Sequence, residues 1–282
     1  MDRDRKVFGL RVDVDTIKGL TQGVPRLLDI LDRLQVRATF FITMGPDNTG
    51  RNLFHLTKRR NVILGGVSPL RKFGLQQMLY GLLIPAPKME HYIHVIKNIQ
   101  EKGHEIGFHG YNHYHWANYF HKMSTEDIEE QVSLGIGALL KVTGIRPRGF
   151  ASPAFKWGTK SLLVADKWNF TYSSDMYGKI AFYPKISGKK LDMLQIPVSE
   201  PLIEELVNQG MSDAEIFARF RKSLIEQNFI TMYIHPIYEI LCKDYLVKSI
   251  LKFAKKHRSI SILTYGEIAK KLKEDAITHK IA

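Results

Sequence analysis

Two aspartates one residue apart, Asp13 and Asp15, close the run Phe8-Gly9-Leu10-Arg11-Val12-Asp13-Val14-Asp15-Thr16. Strand side chains alternate between faces, so Arg11, Asp13 and Asp15 share one face while Phe8, Leu10, Val12 and Val14 share the other. Carboxylates that close repel unless a cation lies beside them. The pair is therefore either a strand end with a capping Asp or the start of a metal site with an adjacent base. A second cluster favours the metal. Five of the 11 histidines fall in one stretch: His104, His109, His113, His115 and His121. A helical turn would stack His109 and His113 on one side, and neutral imidazole is the commonest nitrogen donor to zinc-like ions. One Asp with two His leaves open positions for water and substrate, as a catalytic metal requires. His104, His115 and His121 read as ordinary surface or supporting residues. The remaining polar candidates are His235, behind an apolar run, and Asp175 in Tyr172-Ser173-Ser174-Asp175.

These residues need a frame to converge, and the chain repeats strand then helix. After the first strand, Val24, Leu27, Leu28, Leu31 and Leu34 recur at helical spacing behind Pro25, and Ala38 to Ile42 then reads as a buried strand. Ser124 with Asp127 opens a helix that should end at Gly144. Strands are expected at 149–151, 170–172, 194–196, 229–234 and 260–263, with helices near 212–226, 243–256 and 265–273. Alternation of this kind argues for a parallel sheet, and this many units in one domain of 282 residues suggests a TIM-type barrel spanning 1–282. Asp13, Asp15, His109, Asp175 and His235 all follow expected strands, where such a barrel carries its active groups.

One stretch breaks the alternation. Residues 51–88 hold seven Lys or Arg and no Asp or Glu, interleaved with bulky aliphatics and aromatics. Basic residues mixed with apolar ones, in runs too short to span a bilayer, suit a segment lying in an anionic membrane interface. A helical hairpin over the barrel or an oligomer contact is the alternative, and the aliphatic content argues against nucleic acid. The net charge of +13 also favours anionic partners. The single Cys242 excludes an internal disulfide framework. No apolar stretch precedes the first strand, and no run of about 18 apolar residues occurs, so a cytoplasmic protein without a transmembrane helix is expected.

The ordered blocks Leu10 to Thr16, Gly23-Val24-Pro25-Arg26, Gly45-Pro46-Asp47-Asn48, Gly107-Phe108-His109 through His113, Ser174-Asp175, Gln195-Ile196-Pro197-Val198 and Ile234-His235 resemble the NodB-homology polysaccharide deacetylases, carbohydrate esterase family 4. The resemblance is closest to the branch that removes a formyl group from an amino sugar carried on undecaprenyl phosphate during lipid A modification. It implies a distorted (β/α)7-8 barrel and hydrolysis of an N-formyl or N-acetyl amide. It further implies a divalent metal (Zn, Mn or Co) on Asp15, His109 and His113. By the same resemblance Asp13 matches the base, His235 the general acid and Asp175 the carboxylate that partners that histidine. The implied location is peripheral, at the cytoplasmic face of the bacterial inner membrane. An arginine that orients the base in most members is replaced here by Ala151, as it is in the deformylase branch, leaving Arg148 or Lys156 as sources of that charge. A peptidoglycan or chitin-type deacetylase and a non-catalytic anionic-lipid binder are the competing readings.

Overall fold

The computed structural model describes residues 6–58 and 64–280, with side chains left aside at 56–58 and 275–280. Strand β1 (Lys6–Val14) is central. It is nine residues long and buried along almost its whole length, as a parallel strand covered on both faces should be. Helix α1 (Val24–Leu34) follows, with Pro25 in its first turn, and lays Leu27, Leu28 and Leu31 against the sheet. Each such leucine contributes about 2 kcal/mol by leaving water. Strand β2 (Thr39–Ile42) then pairs in parallel with the C-terminal half of β1.

The 51–88 stretch forms α2 (Thr49–Lys58), α3 (Pro69–Phe73) and α4 (Leu75–Met78), a helical lobe beside the sheet. Arg59, Arg60, Val62 and Ile63 lie outside the described residues. Next come α5 (Ile93–Glu101), β3 (Glu105–Phe108), α6 (His113–Tyr119), α7 (Thr125–Thr143), β4 (Gly149–Phe150), α8 (Thr159–Lys167) and β5 (Tyr172–Ser173). A two-strand hairpin, β6 (Lys185–Ile186) with β7 (Lys189–Lys190), precedes β8 (Leu194–Gln195). The chain closes with α9 (Ile203–Asn208), α10 (Asp213–Glu226), β9 (Phe229–Ile234), α11 (Asp244–Lys256), β10 (Ile260–Leu263) and α12 (Tyr265–Lys280). The capping box expected at Ser124 is present, its hydroxyl accepting from Asp127 N and its N–H donating to the Asp127 carboxylate, and α7 ends on Gly144 in the left-handed region.

The parallel order is β9-β1-β2-β3-β4-β5-β8, with β10 on the N-terminal half of β1. The sheet is the expected TIM-like barrel in distorted form. Between β8 and β9 no ladder closes it. Instead Thr231 donates its hydroxyl to Pro197 O at 2.6 Å and its N–H to Ser199 Oγ at 2.8 Å, sewing the Gln-Ile-Pro-Val block to β9. Strands β4, β5 and β8 are shorter than the expected 149–151, 170–172 and 194–196. The chain peels away after two paired residues, and this frees the loops at Ser152, Asp175 and Pro197 to turn toward the C-terminal mouth.

Candidate active site

The alternation in β1 holds: Arg11 and Asp13 lie side by side, both buried, and Asp15 follows just past the strand end. Arg11 grips Asp13 with a two-pronged pair, Nε to Oδ1 and Nη2 to Oδ2, each at 2.7 Å. Its third nitrogen, Nη1, donates to Ser174 O at 2.5 Å and Ser174 Oγ at 3.0 Å. The guanidinium lies between the Phe41 and Phe155 rings, 5.2 and 5.0 Å from their centroids, so it is dry as well as bound. Burial opposes its charge, but Asp13 outweighs burial and holds the guanidinium still more firmly protonated. Arg148 and Lys156, the two cations that sequence offered for this role, are both exposed.

Asp15, His109 and His113 converge. Their ligating atoms all lie within 4.8 Å of one another. Asp15 Oδ1 is 3.3 Å from His109 Nε2, and Oδ2 is 3.5 Å from His113 Nε2. Asp15 Oδ1 is buried with no hydrogen-bond partner, an arrangement that a cation would satisfy. Burial alone would raise the Asp15 carboxyl, yet His113 and His109 hold it well below the usual carboxylate range. His109 Nδ1 lies 2.7 Å from Ala151 O, which can only accept, so Nδ1 carries a proton and the Nε2 edge of the ring faces Asp15. Residue 151 thus supplies its carbonyl at the position where the resemblance leads one to expect an arginine side chain. The residues present fit a divalent ion.

The route by which the two histidines meet differs from the expected helical turn. His109 follows directly on β3 and His113 begins α6, and the intervening turn is not helical. Gly110 adopts φ +74°, where an added Cβ would meet Pro153 Cγ at 2.8 Å, and Asn112 caps α6 by accepting from His115 N. The turn brings the ring centroids to 5.4 Å. His104 sits under β2, 5.3 Å from the Phe40 ring, and His115 and His121 are exposed, away from the site.

His235, just past β9, places Nε2 3.3 Å from Asp15 Oδ2. Burial would lower its pKa, but the hydrogen bond and charge of Asp15, then Asp13 and Glu239, raise it to about 9. The expected pairing of His235 with Asp175 is not found. Asp175 is fully buried and accepts from Ser152 N at 2.7 Å and Gln195 Nε2 at 3.1 Å, on the Arg11 side of the mouth. The early end of β5 turns its side chain under β4 and not across to β9. The carboxylate that reaches the His235 loop is Glu239, whose Oε2 accepts from His235 N at 2.9 Å.

Arg11, Asp13, Asp15, His109, His113 and His235 line one cavity of about 400 Å³ at the C-terminal mouth, shared with Asp47, Asn52, Lys72 and Phe73 from the β2–α3 region and with Phe155, Glu205 and Tyr233 opposite. Tyr177 and Tyr233 join hydroxyls at 2.8 Å and both reach Glu205, an aromatic wall that no sequence motif announced. Asp47, in the Gly-Pro-Asp-Asn block, binds Ile17 N at 2.7 Å and fixes the turn that follows Asp15.

The model of the family described as polysaccharide deacetylase matches residues 2–173. A protein of Shewanella sediminis named "Probable 4-deoxy-4-formamido-L-arabinose-phosphoundecaprenol deformylase ArnD" is 30% identical over 250 residues, 86% of this chain and 80% of that protein. A protein of the same name from Wigglesworthia glossinidia brevipalpis is 32% identical over 67% of each. In architecture the chain resembles a crystal structure described as a polysaccharide deacetylase of Mycobacterium smegmatis, with a TM-score of 0.69 over 98% of this chain and 93% of that one at 17% identity. With the paired aspartates, the two histidines and the distorted barrel in place, the chain belongs to the polysaccharide deacetylase family, hydrolases of N-acyl amide bonds.

Proposed function

We propose that the chain is a metal-dependent N-deacylase that removes a formyl group from an amino sugar linked to undecaprenyl phosphate. The observation that carries this is a dry, two-pronged Arg11–Asp13 pair set beside an Asp15-His109-His113 cluster, with His235 across from it. The formyl group and the lipid carrier come from the relatives named as deformylases. Zinc, manganese or cobalt suits the donor set. Such an ion, when bound to Asp15, His109 and His113, polarises the acyl carbonyl and eases deprotonation of the attacking water. Asp13, fixed by Arg11 and therefore unable to swing onto the histidines, takes the proton from that water. His235, held protonated by its acidic neighbours, gives a proton to the departing nitrogen. The C–N bond breaks to leave a free amine and formate. Asp175 acts on the Arg11 side by holding the Ser152 and Gln195 loops.

The lobe supports work at a lipid surface. Among its described residues Leu70, Leu75 and Leu83 are 58%, 66% and 81% exposed, beside Arg71. No helix among the described residues is long and apolar enough to cross a membrane, so the contact we propose is peripheral, at the cytoplasmic face of the inner membrane. Leu75→Glu with Leu83→Glu should weaken partitioning onto vesicles containing anionic lipid by at least roughly a hundredfold, since each apolar side chain gains about 2 kcal/mol on insertion and about 1.4 kcal/mol is a factor of ten. The melting temperature should hold. Equal sedimentation would refute the interface.

The test of activity is to incubate metal-loaded protein with N-formylated and N-acetylated amino sugars on polyprenyl phosphate and follow each mass. A fall in the mass of the first substrate by one CO, the net loss when N-formyl becomes free amine, supports the reading. Loss of acetyl alone favours a deacetylase. Loss from neither refutes the proposal.

A further inference from the structure

Glu239 is fully buried, yet the chemistry proposed above does not use it. Its two oxygens are both committed to backbone: Oε2 accepts from His235 N at 2.9 Å and Oε1 from Glu204 N at 3.0 Å. Glu204, also buried, is ion-paired with Lys72 of α3. Lys72 in turn sits 5.5 Å from the centre of the Tyr238 ring, and Tyr238 donates its hydroxyl to Gly65 O at 2.6 Å. Gly65 lies in the lobe with φ +53°, and a Cβ there would meet the Tyr238 ring at 2.2 Å. Lys18, three residues past Asp15, donates to Lys72 O at 2.8 Å and to Arg71 O at 3.1 Å, at the C-terminal end of α3. The segment that follows His235 therefore meets the lobe directly through the Tyr238 hydroxyl bond and the contacts of its ring, and indirectly through Glu239, Glu204 and the Glu204–Lys72 ion pair.

We propose that Glu239 is a positioning residue for His235, and that the lobe, seated through Lys72–Glu204 and Tyr238–Gly65, sets that position. The physical reason is that a buried carboxylate bridging two N–H groups fixes both peptides at once. Its neighbour Glu204, equally buried, has its ion-pair partner Lys72 only while the lobe is docked. A lobe that lifts withdraws the cation and the Tyr238 bond together and frees the loop that carries His235. The exposed leucines and the clamp on His235 then belong to one structural unit, so the lobe that meets lipid also orders the proton donor.

This inference rests on the deacylase reading, and its test separates the two. Glu239→Gln has one acceptor oxygen where two are needed, and Tyr238→Phe removes only the hydroxyl that reaches the lobe. Each is assayed with a water-soluble N-formyl amino sugar and with an activated aryl ester, whose phenolate leaves without a proton. Misplacing His235 should lower kcat on the amide at least tenfold, with KM within twofold, while ester turnover per bound metal stays within threefold. Parallel loss on both substrates, or no loss on either, overturns the positioning role. A wild-type protein that leaves the amide intact refutes the deacylase reading instead.

Discussion

Replacing Arg11 by Met should separate the orientation of the base from the binding of metal. In the folded protein the guanidinium makes two charge-assisted bonds of 2.7 Å to Asp13, with both groups almost inaccessible to water. Bonds of this kind are each worth about 1.5–3 kcal/mol, and breaking one side of a buried pair costs roughly 3–5 kcal/mol. For a chain of this size that lowers the melting temperature by on the order of 10 °C. Asp13, left buried without its cation, would take up a proton or turn toward the histidines, and either change removes it as a base. Positioned bases contribute about 10²–10⁴ in rate, so kcat should fall roughly 10²- to 10³-fold. Arg11→Lys keeps the charge but cannot bridge both Asp13 oxygens and reach Ser174 as well, and should lose about tenfold to a hundredfold. Metal content should be unchanged in both variants, because Arg11 touches none of Asp15, His109 and His113. The assay is single-turnover deformylation on metal-quantified protein below the melting range. A folded Arg11→Met protein that retains kcat within threefold would refute the argument.

The paired aspartates should divide cleanly. Asp13→Asn is expected to keep metal at wild-type stoichiometry and lose at least a hundredfold in turnover, whereas Asp15→Asn should lose the metal itself. Elemental analysis of dialysed protein decides this, and equal metal retention in both variants would contradict the assignment. His104 should make the fold acid-sensitive. Burial lowers its pKa from 6.5 to about 4, so the folded state resists the proton that the unfolded chain accepts. The stability it contributes is complete above pH 6.5 and is lost as pH falls toward 4, by on the order of 2 kcal/mol. His104→Gln keeps an acceptor for Ala38 N but cannot titrate. Urea unfolding at pH 4.5 and 7 should show a smaller difference for that variant than for wild type, and an equal difference would show that His104 does not titrate as described.

What could be read from sequence was whatever depended on local period. Strand alternation put Arg11, Asp13 and Asp15 on one face, the Ser124 capping box and Gly144 bounded α7 correctly, and His235 followed an apolar strand as anticipated. Relations across the barrel were not readable in this way. Asp175 was expected to face His235, but its partners, Ser152 and Gln195, are 23 and 20 residues away in the chain, and only the early end of β5 decides which way it turns. Glu239 was missed because a carboxylate four residues past a histidine looks like solvent-facing helix charge. Here Pro236–Ile240 coils into a wide turn that points it inward, to accept from His235 N. The short apolar stretch before Gly110 suggested a helical His109–His113 turn, but a residue at φ +74° interrupts any helix at that point.

For the arginine that the resemblance places at 151, Arg11 is the replacement we propose, set beside the proposed base Asp13. An orienting cation delivered from the loop at 151 must be brought to Asp13 by the pairing of separate strands, whereas Arg11 is carried on the same strand as the base. Two residues of β-geometry fix its reach, and that strand is held by pairing with β9 and β10 as well as β2. With the side chain at 151 reduced to a methyl group, the loop is free to present its carbonyl to His109 and settle which nitrogen faces Asp15. One substitution is thereby tied to two functions, the charge supplied from within β1 and the histidine tautomer supplied from Ala151. A graft of Arg at 151 into this chain should therefore compete with Arg11 for Asp13 and crowd Phe41, which packs in the same cluster as Ala151. It should lower turnover, where an orienter absent from its customary place would have been restored by it.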